Sequence, residues 1–568
     1  MIFIIIGLLC ALSGTALAAA DPPDLSLSAI LAGAQERPAG AAMPPEGPAA
    51  VLASMAGTDA FTVGCASPIL IAGAHESAPA EALRQALGLL AAPPLAADAP
   101  IFVTRDGRFA LRYAAPGAPG REREVNPEIV ARIAEALVAA RSYVSATLGY
   151  ADPSPAPAQV SVYLVRLGHG LEGYIVPARA IEAGRTAPAF IVLDAGIQSD
   201  RIMPAILHQV AHLSLLRMAD PETWWQEATA SLVTLMGAGD MEDQRAALGA
   251  RLGSQARGLL ADDLVLMQGA LLWPLFLSER TGDPDVVRRI WVAMAGGISD
   301  PMQAADVVLA REGGLPAGAA FREMALWTLF TGERDDGAHF SAARAMPAAA
   351  METVGPSLPL QAGRIDPVEP LGSVALRLPA ERASGSLDLE LQSRGGRPAA
   401  DILIFYQSEG GRPVLVPVDL TQGSARLSLP WGQAREAWIV LRNEARAADA
   451  GATTFEVHGT LDASAPFDLA SLTAEPVGRT VVLSWTTASE KGLVGWNLYR
   501  SDDPSGPFTR LNDVAVPAYG DSESDTGYLY VDDKARSGRR YYYLVEGINS
   551  LGLVERSHVA SARTLPAR

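Results

Sequence analysis

Ile206-Leu207-His208-Gln209-Val210-Ala211-His212-Leu213-Ser214, followed after a polar turn by Trp224-Trp225-Gln226-Glu227-Ala228-Thr229-Ala230, decides how the centre of this 568-residue chain is read. Apolar residues surround both histidines, so the first segment reads as a helix, and positions four apart in a helix share one face. Two imidazoles one turn apart can grip a single tetrahedral cation. Glu227 sits on the next predicted helix, and a short antiparallel turn would bring it opposite the pair. Two imidazoles, one carboxylate and an open position form a catalytic zinc set. Histidines at this spacing also occur at core edges with no ligand. Of the seven histidines here, however, only His208 and His212 have ligand spacing.

Working outward, residues 101–114 (IFVTRDGRFALRYA) alternate about Asp106-Gly107 as a hairpin does. Residues 126–150 read as an amphipathic helix, with Asn126 as cap and Pro127 in the first turn. VSVYLVRL (160–167) and PAFIVLDAG (188–196) read as strands, and helices are expected at 204–218, 221–236, 262–281, 284–296 and 318–330. The expected unit is an α+β domain over 99–350. Proline and glycine punctuate 355–371, and short alternating runs follow, from SVALRLP to TTFEVHGTL; these predict a β-sandwich over 365–462. A second set of runs fills 466–566. Its LSW motif, WNLYRS strand and YYYLV strand resemble a fibronectin type III module, with Trp485 and one or more of Tyr541, Tyr542 and Tyr543 in its core. The fold class is therefore multidomain: an α+β domain followed by two all-β sandwiches.

Residues 1–20 read as a signal peptide, an apolar run closing in small residues with Ala16-Leu17-Ala18 as cleavage pattern. An uncleaved anchor is the alternative. The protein is expected to be exported, periplasmic or extracellular, with no stable membrane insertion once that segment is removed. Residues 21–98 are rich in Ala and Pro, a possible pro-segment or a plain linker. Cys65 lies in this region and is expected to be inert; without Cys10 of the leader it has no disulfide partner in the chain. A net charge of −18 repels phosphate backbones and excludes nucleic acid as a natural partner. The pI near 4.9 and mean hydropathy of +0.16 fit globular domains.

The central segment resembles a family of secreted bacterial metalloproteases of the zincin group, gluzincin-like, in which HExxH is followed by W-x-x-E-A-T-A and β-sandwich domains trail behind. RFALRYA, ATLGY, VYLVRL, Tyr174, IVLDAG, VVRRIW and FREMALWTLFTGER extend the likeness over about 100–345. The resemblance implies a zincin-like fold, with His208, His212 and Glu227 as zinc ligands and a protein or peptide as substrate or ligand.

Gln209 departs from the pattern, standing where the family carries its general base. An amide cannot take the proton of a metal-bound water, and general-base catalysis is worth roughly 10²–10⁴ in rate. The expected function is thus a zinc-binding, catalytically impaired metallopeptidase homologue acting by binding. A Glu at 209 would restore the base. One rival is an active endopeptidase with a substitute base, for which Asp220 and Glu222 are the nearby carboxylates. The other is an adhesion or scaffold protein with a decayed metal site. Tyr174 and His339 could serve as oxyanion donors, though a structural role suits each better.

Overall fold

The structure, a computed structural model, describes residues 99–564 with interruptions, the longer ones at 115–124, 355–359, 381–385, 407–412 and 520–525. Before residue 99 it describes only Cys65, Ser67 and Leu95. The expected leader at 1–20 lies outside the described residues, as does nearly all of 21–98. The chain divides into two compact units.

The first unit takes in the described residues of Met1–Ala247, Asp262–Leu275 and Pro284–Ala304. Its sheet holds β1 (Ile101–Val103), β2 (Phe109–Arg112), β3 (Val160–Val165), β4 (Gly173–Glu182) and β5 (Arg185–Asp194), in the order β1-β2-β3-β5-β4. Strands β2, β3 and β5 run parallel, while β1 and β4 close the two edges antiparallel. The expected hairpin turns at Gly107, whose φ of 71° suits a residue without Cβ.

Helix α1 (Pro127–Ser142) begins as its sequence dictates: the Asn126 side chain accepts from the Glu128 amide at 2.9 Å, and Pro127 occupies the first turn. Helices α2 (Ile202–Leu216) and α3 (Thr223–Ala238) follow the sheet. Nearly every residue of α2 is buried, as a helix apolar on all sides requires. It lies against β4 and β5 as well as α1 and α3. Close approach of α2 and α3 depends on Gly237, where a Cβ would stand 2.2 Å from Leu207 Cδ2 and 2.8 Å from Tyr143 Cε1. A stacked pair, Trp225 on Trp291 at 6.1 Å, closes the far side of α3, and Trp291 Nε1 donates to Thr229 Oγ1 at 3.1 Å.

The second unit takes in the described residues of Leu248–Ala261, Phe276–Asp283 and Ala305–Arg568. Two facing sheets, of five and four strands between Glu352 and Asp462, enclose a core that includes Leu376, Leu389, Ile402, Ile439, Phe455 and Val457. Residues 467–563 form a further sandwich of one three-stranded and one six-stranded sheet. Trp485, Trp496, Tyr541 and Tyr543 are buried in its core, while Tyr542 is not. Trp485 stacks on Tyr528 at 5.1 Å. The protein is thus multidomain, with a helical α+β region and β-sandwich modules. No helix among the described residues is long and apolar enough to cross a membrane.

Candidate metal centre

Helical periodicity sets His208 and His212 one turn apart on α2, with ring centroids 4.8 Å apart and Nε2 atoms 3.1 Å apart. Helix α3 runs antiparallel to α2, since Glu227 meets His212 near one end of the pair and Thr234 meets His208 further along. Glu227 is 0% exposed. Its Oε1 lies 3.0 Å from His208 Nε2 and its Oε2 3.1 Å from His212 Nε2. Among the described residues neither oxygen has a further hydrogen-bond donor, which leaves a buried carboxylate against the two imidazoles.

A fourth donor completes the group. Cys65 forms a parallel bridge with Gly173 on the outer edge of β4 and is 2% exposed. Its Sγ lies 3.7 Å from His212 Nε2, and all four donor atoms fall within 4.8 Å of one another. The sequence expectation left Cys65 outside the site, whereas the structure buries it beside these donors. The misreading has a physical reason: its partners lie 144 and 147 residues away, beyond any local pattern. The available signal was chemical, in that the chain carries a single thiol outside its apolar leader, and a thiolate is a soft metal ligand. Ser67 and Thr234 were missed as well.

The separations match a metal cage. Tetrahedral zinc, with bonds of about 2.0–2.1 Å to nitrogen or oxygen and 2.3 Å to sulfur, sets its ligands about 3.3–3.6 Å apart. Four donor pairs, at 3.0–3.7 Å, lie near that range, and the whole set falls within 4.8 Å.

Surrounding groups fix the ligands. Thr234 Oγ1 donates to the Ala230 carbonyl at 2.8 Å, so toward His208 Nδ1, 3.3 Å away, it acts as acceptor. That places the His208 proton on Nδ1 and frees the Nε2 lone pair for the centre. Gln209 points to the same place. Its Nε2 donates to Cys65 Sγ at 3.4 Å, and its Oε1 accepts from Ser67 Oγ at 3.0 Å. The Ser67 backbone N–H also donates to Cys65 Sγ at 3.3 Å, and the Ile175 N–H donates to Ser67 Oγ at 3.1 Å. A sulfur that receives two N–H donors is set up as a thiolate.

Electrostatics agree. Burial opposes the charge on Cys65, as does Glu227, yet His208 and His212 bring the thiol down from 9.0 to about 6. Burial likewise opposes ionisation of Glu227, and the same imidazoles hold it well below the usual carboxylate range. Both histidines are raised, burial working against the shift and Glu227 with Cys65 outweighing it. A cleft of about 340 Å³ reaches the cluster at Cys65 and His208, past an Arg201 that pairs with Glu172 and Asp243.

Other sequence candidates lie elsewhere. Glu222 accepts from Trp224 Nε1 at 2.7 Å, and Asp220 accepts from Gln226 Nε2 at 3.4 Å; neither carboxylate belongs to the cluster. His339 belongs to the second unit, where it stacks on Phe330 at 4.2 Å. Tyr174 is fully buried on β4, next to the residue that Cys65 bridges.

No protein-family model matches the chain, and no curated protein matches it. Among solved structures, a Fn3-like protein from Clostridium thermocellum is 22% identical, with 17% of this chain and 92% of that chain covered and a TM-score of 0.13. The adhesin domain of Epf from Streptococcus pyogenes is 10% identical over 34% of this chain and 73% of its own, with a TM-score of 0.15. A surface-associated copper-binding protein of Methylomicrobium album BG8 is 6% identical over 20% and 98%, with a TM-score of 0.14. At such scores these likenesses bear no weight, and the β-sandwich architecture rests on the strands themselves.

Proposed function

We propose that this chain is an exported, zinc-binding homologue of zincin metallopeptidases in which hydrolysis is suppressed and a protein or peptide is bound rather than cut. The convergence of His208, His212 and Glu227 on one buried point, with each Glu227 oxygen against an imidazole, carries the reading. Zinc suits the donor set: two imidazoles and a carboxylate are its usual nitrogen and oxygen ligands, and a thiolate adds a soft one. When bound in a site with an open position, zinc lowers the pKa of a coordinated water and polarises a carbonyl. The chain's own residues withhold the rest of that chemistry. Gln209 offers an amide where a proton acceptor would be needed, and both of its polar atoms are already committed to Cys65 and Ser67. Glu222 and Asp220 face Trp224 and Gln226, so neither carboxylate replaces it.

The test is the zinc content of purified protein, read with a casein-type peptidase assay. About one equivalent per chain is expected, with little or no hydrolysis. Changing His208, His212 or Glu227 to Ala should remove the metal. Stoichiometric zinc surviving a His208→Ala, His212→Ala double variant would place the metal elsewhere.

A further inference from the structure

We infer that Cys65 is the fourth protein ligand, so that the metal forms a closed clip holding Cys65 and Ser67 against the outer edge of β4. The inference rests on the zinc reading above and goes beyond it by assigning the site a structural role.

Among the described strands β4 pairs with β5 alone, and its outer edge carries backbone groups of the kind an extended peptide recognises. Cys65 occupies that edge in register with Gly173. Gly173 is itself closely packed on β5, where a Cβ would stand 2.8 Å from Leu193 Cδ2 and 2.9 Å from the Val192 carbonyl. Ser67 ties the segment a second time, accepting from the Ile175 N–H and donating to Gln209. Cys65 Sγ then fills the corner of the tetrahedron that a catalytic site leaves open for water. Gln209 is matched to this role. Its NH₂ group stabilises a thiolate 3.4 Å away, whereas a carboxylate at the same place would oppose it with like charge. The loss of the base and the gain of the thiol are thus two halves of one arrangement.

The full-length chain loaded with cobalt(II) in place of zinc provides the test. A near-ultraviolet sulfur-to-cobalt charge-transfer band is expected, and it should disappear in Cys65→Ser. That variant should retain metal through the other three ligands but yield it to a chelator at least about tenfold more readily. In unmutated protein, peptide mapping after iodoacetamide should find Cys65 protected with zinc and alkylated once zinc is stripped. This second measurement stands even if Cys65→Ser misfolds. Bound metal with no charge-transfer band, and equal alkylation in both states, overturns the clip while leaving the zinc reading intact. Failure of unmutated protein to bind either metal overturns both.

Discussion

At residue 209 an amide stands against Cys65 and Ser67, and the effect of a carboxylate there depends on these neighbours. On the proposed clip, placing Glu there does not suffice, because Cys65 would take the open position. Gln209→Glu alone is expected to weaken zinc binding and give no peptidase activity, because it sets a carboxylate against the thiolate sulfur. Combined with Cys65→Ser, which opens a position, Gln209→Glu should yield chelator-sensitive hydrolysis raised roughly 10²–10⁴-fold over Cys65→Ser alone, the worth of a general base. Equal rates in the two variants would show that the cleft cannot seat a substrate. Protons are linked to the same residues. In the metal-free protein the raised imidazoles contribute stability that is full below their ordinary 6.5 and is lost as pH climbs through their folded values. Cys65 behaves oppositely: lowered from 9.0 to about 6, it contributes stability above 9 that is gone once pH falls below 6. Zinc requires both imidazoles neutral and the thiol ionised, so its affinity should fall steeply with acid. At pH 6, calorimetry in buffers of different ionisation heat should show about two to three protons released per zinc, two from the imidazoles and a fraction from the thiol. Release of none would mean that the imidazoles are not ligands.

Helices α2 and α3 act as one element, and their spacing controls the cage. Gly237→Val would drive a branched side chain into Leu207 and Tyr143, so it should destabilise the protein by about 1–3 kcal/mol and lower zinc affinity with it. Thr234→Val, nearly isosteric, should leave the fold in place and weaken zinc about 10- to 100-fold by freeing the His208 tautomer. Unchanged affinity in a folded Thr234→Val protein would remove that residue from the account. Much of this element was legible in the chain. The spacing of His208 and His212 and the apolar texture around them predict α2, and Trp224 to Ala230 predict α3. Strand β4 was not, because Pro177 breaks the alternation of GYIVPARAIE. Helices Arg245–Gly253 and Pro301–Arg311 escaped too, since Gly, Ala and Arg blur their apolar faces. Long-range partners leave no local trace, which is why Cys65, Ser67 and the closed corner emerge only from the fold.

Across the whole molecule the metal cluster and the C-terminal sandwich lie in different compact units, and each has its own source of cohesion. The first unit draws on an apolar α2 and four convergent potential donors. Residues 467–563 draw on an aromatic core that contains no metal donor set among the described residues. Trp485 lies at its centre, fully buried, stacked on Tyr528 and edge-on to Trp496 at 5.9 Å. Tyr528 is held in turn by its hydroxyl, which donates to Glu490 at 2.5 Å. A fragment spanning 466–566 should therefore melt cooperatively by itself. Trp485→Ala should cost it about 3–5 kcal/mol, because removing an indole leaves a cavity that Trp496 and Tyr528 cannot close without abandoning their packing. Chelation should lower the melting temperature of the first unit and leave this block's transition unmoved, in the fragment and in the full chain alike. Calorimetry with and without chelator measures both. A shift of the C-terminal transition on zinc removal would show that the sandwich depends on the clip for its stability.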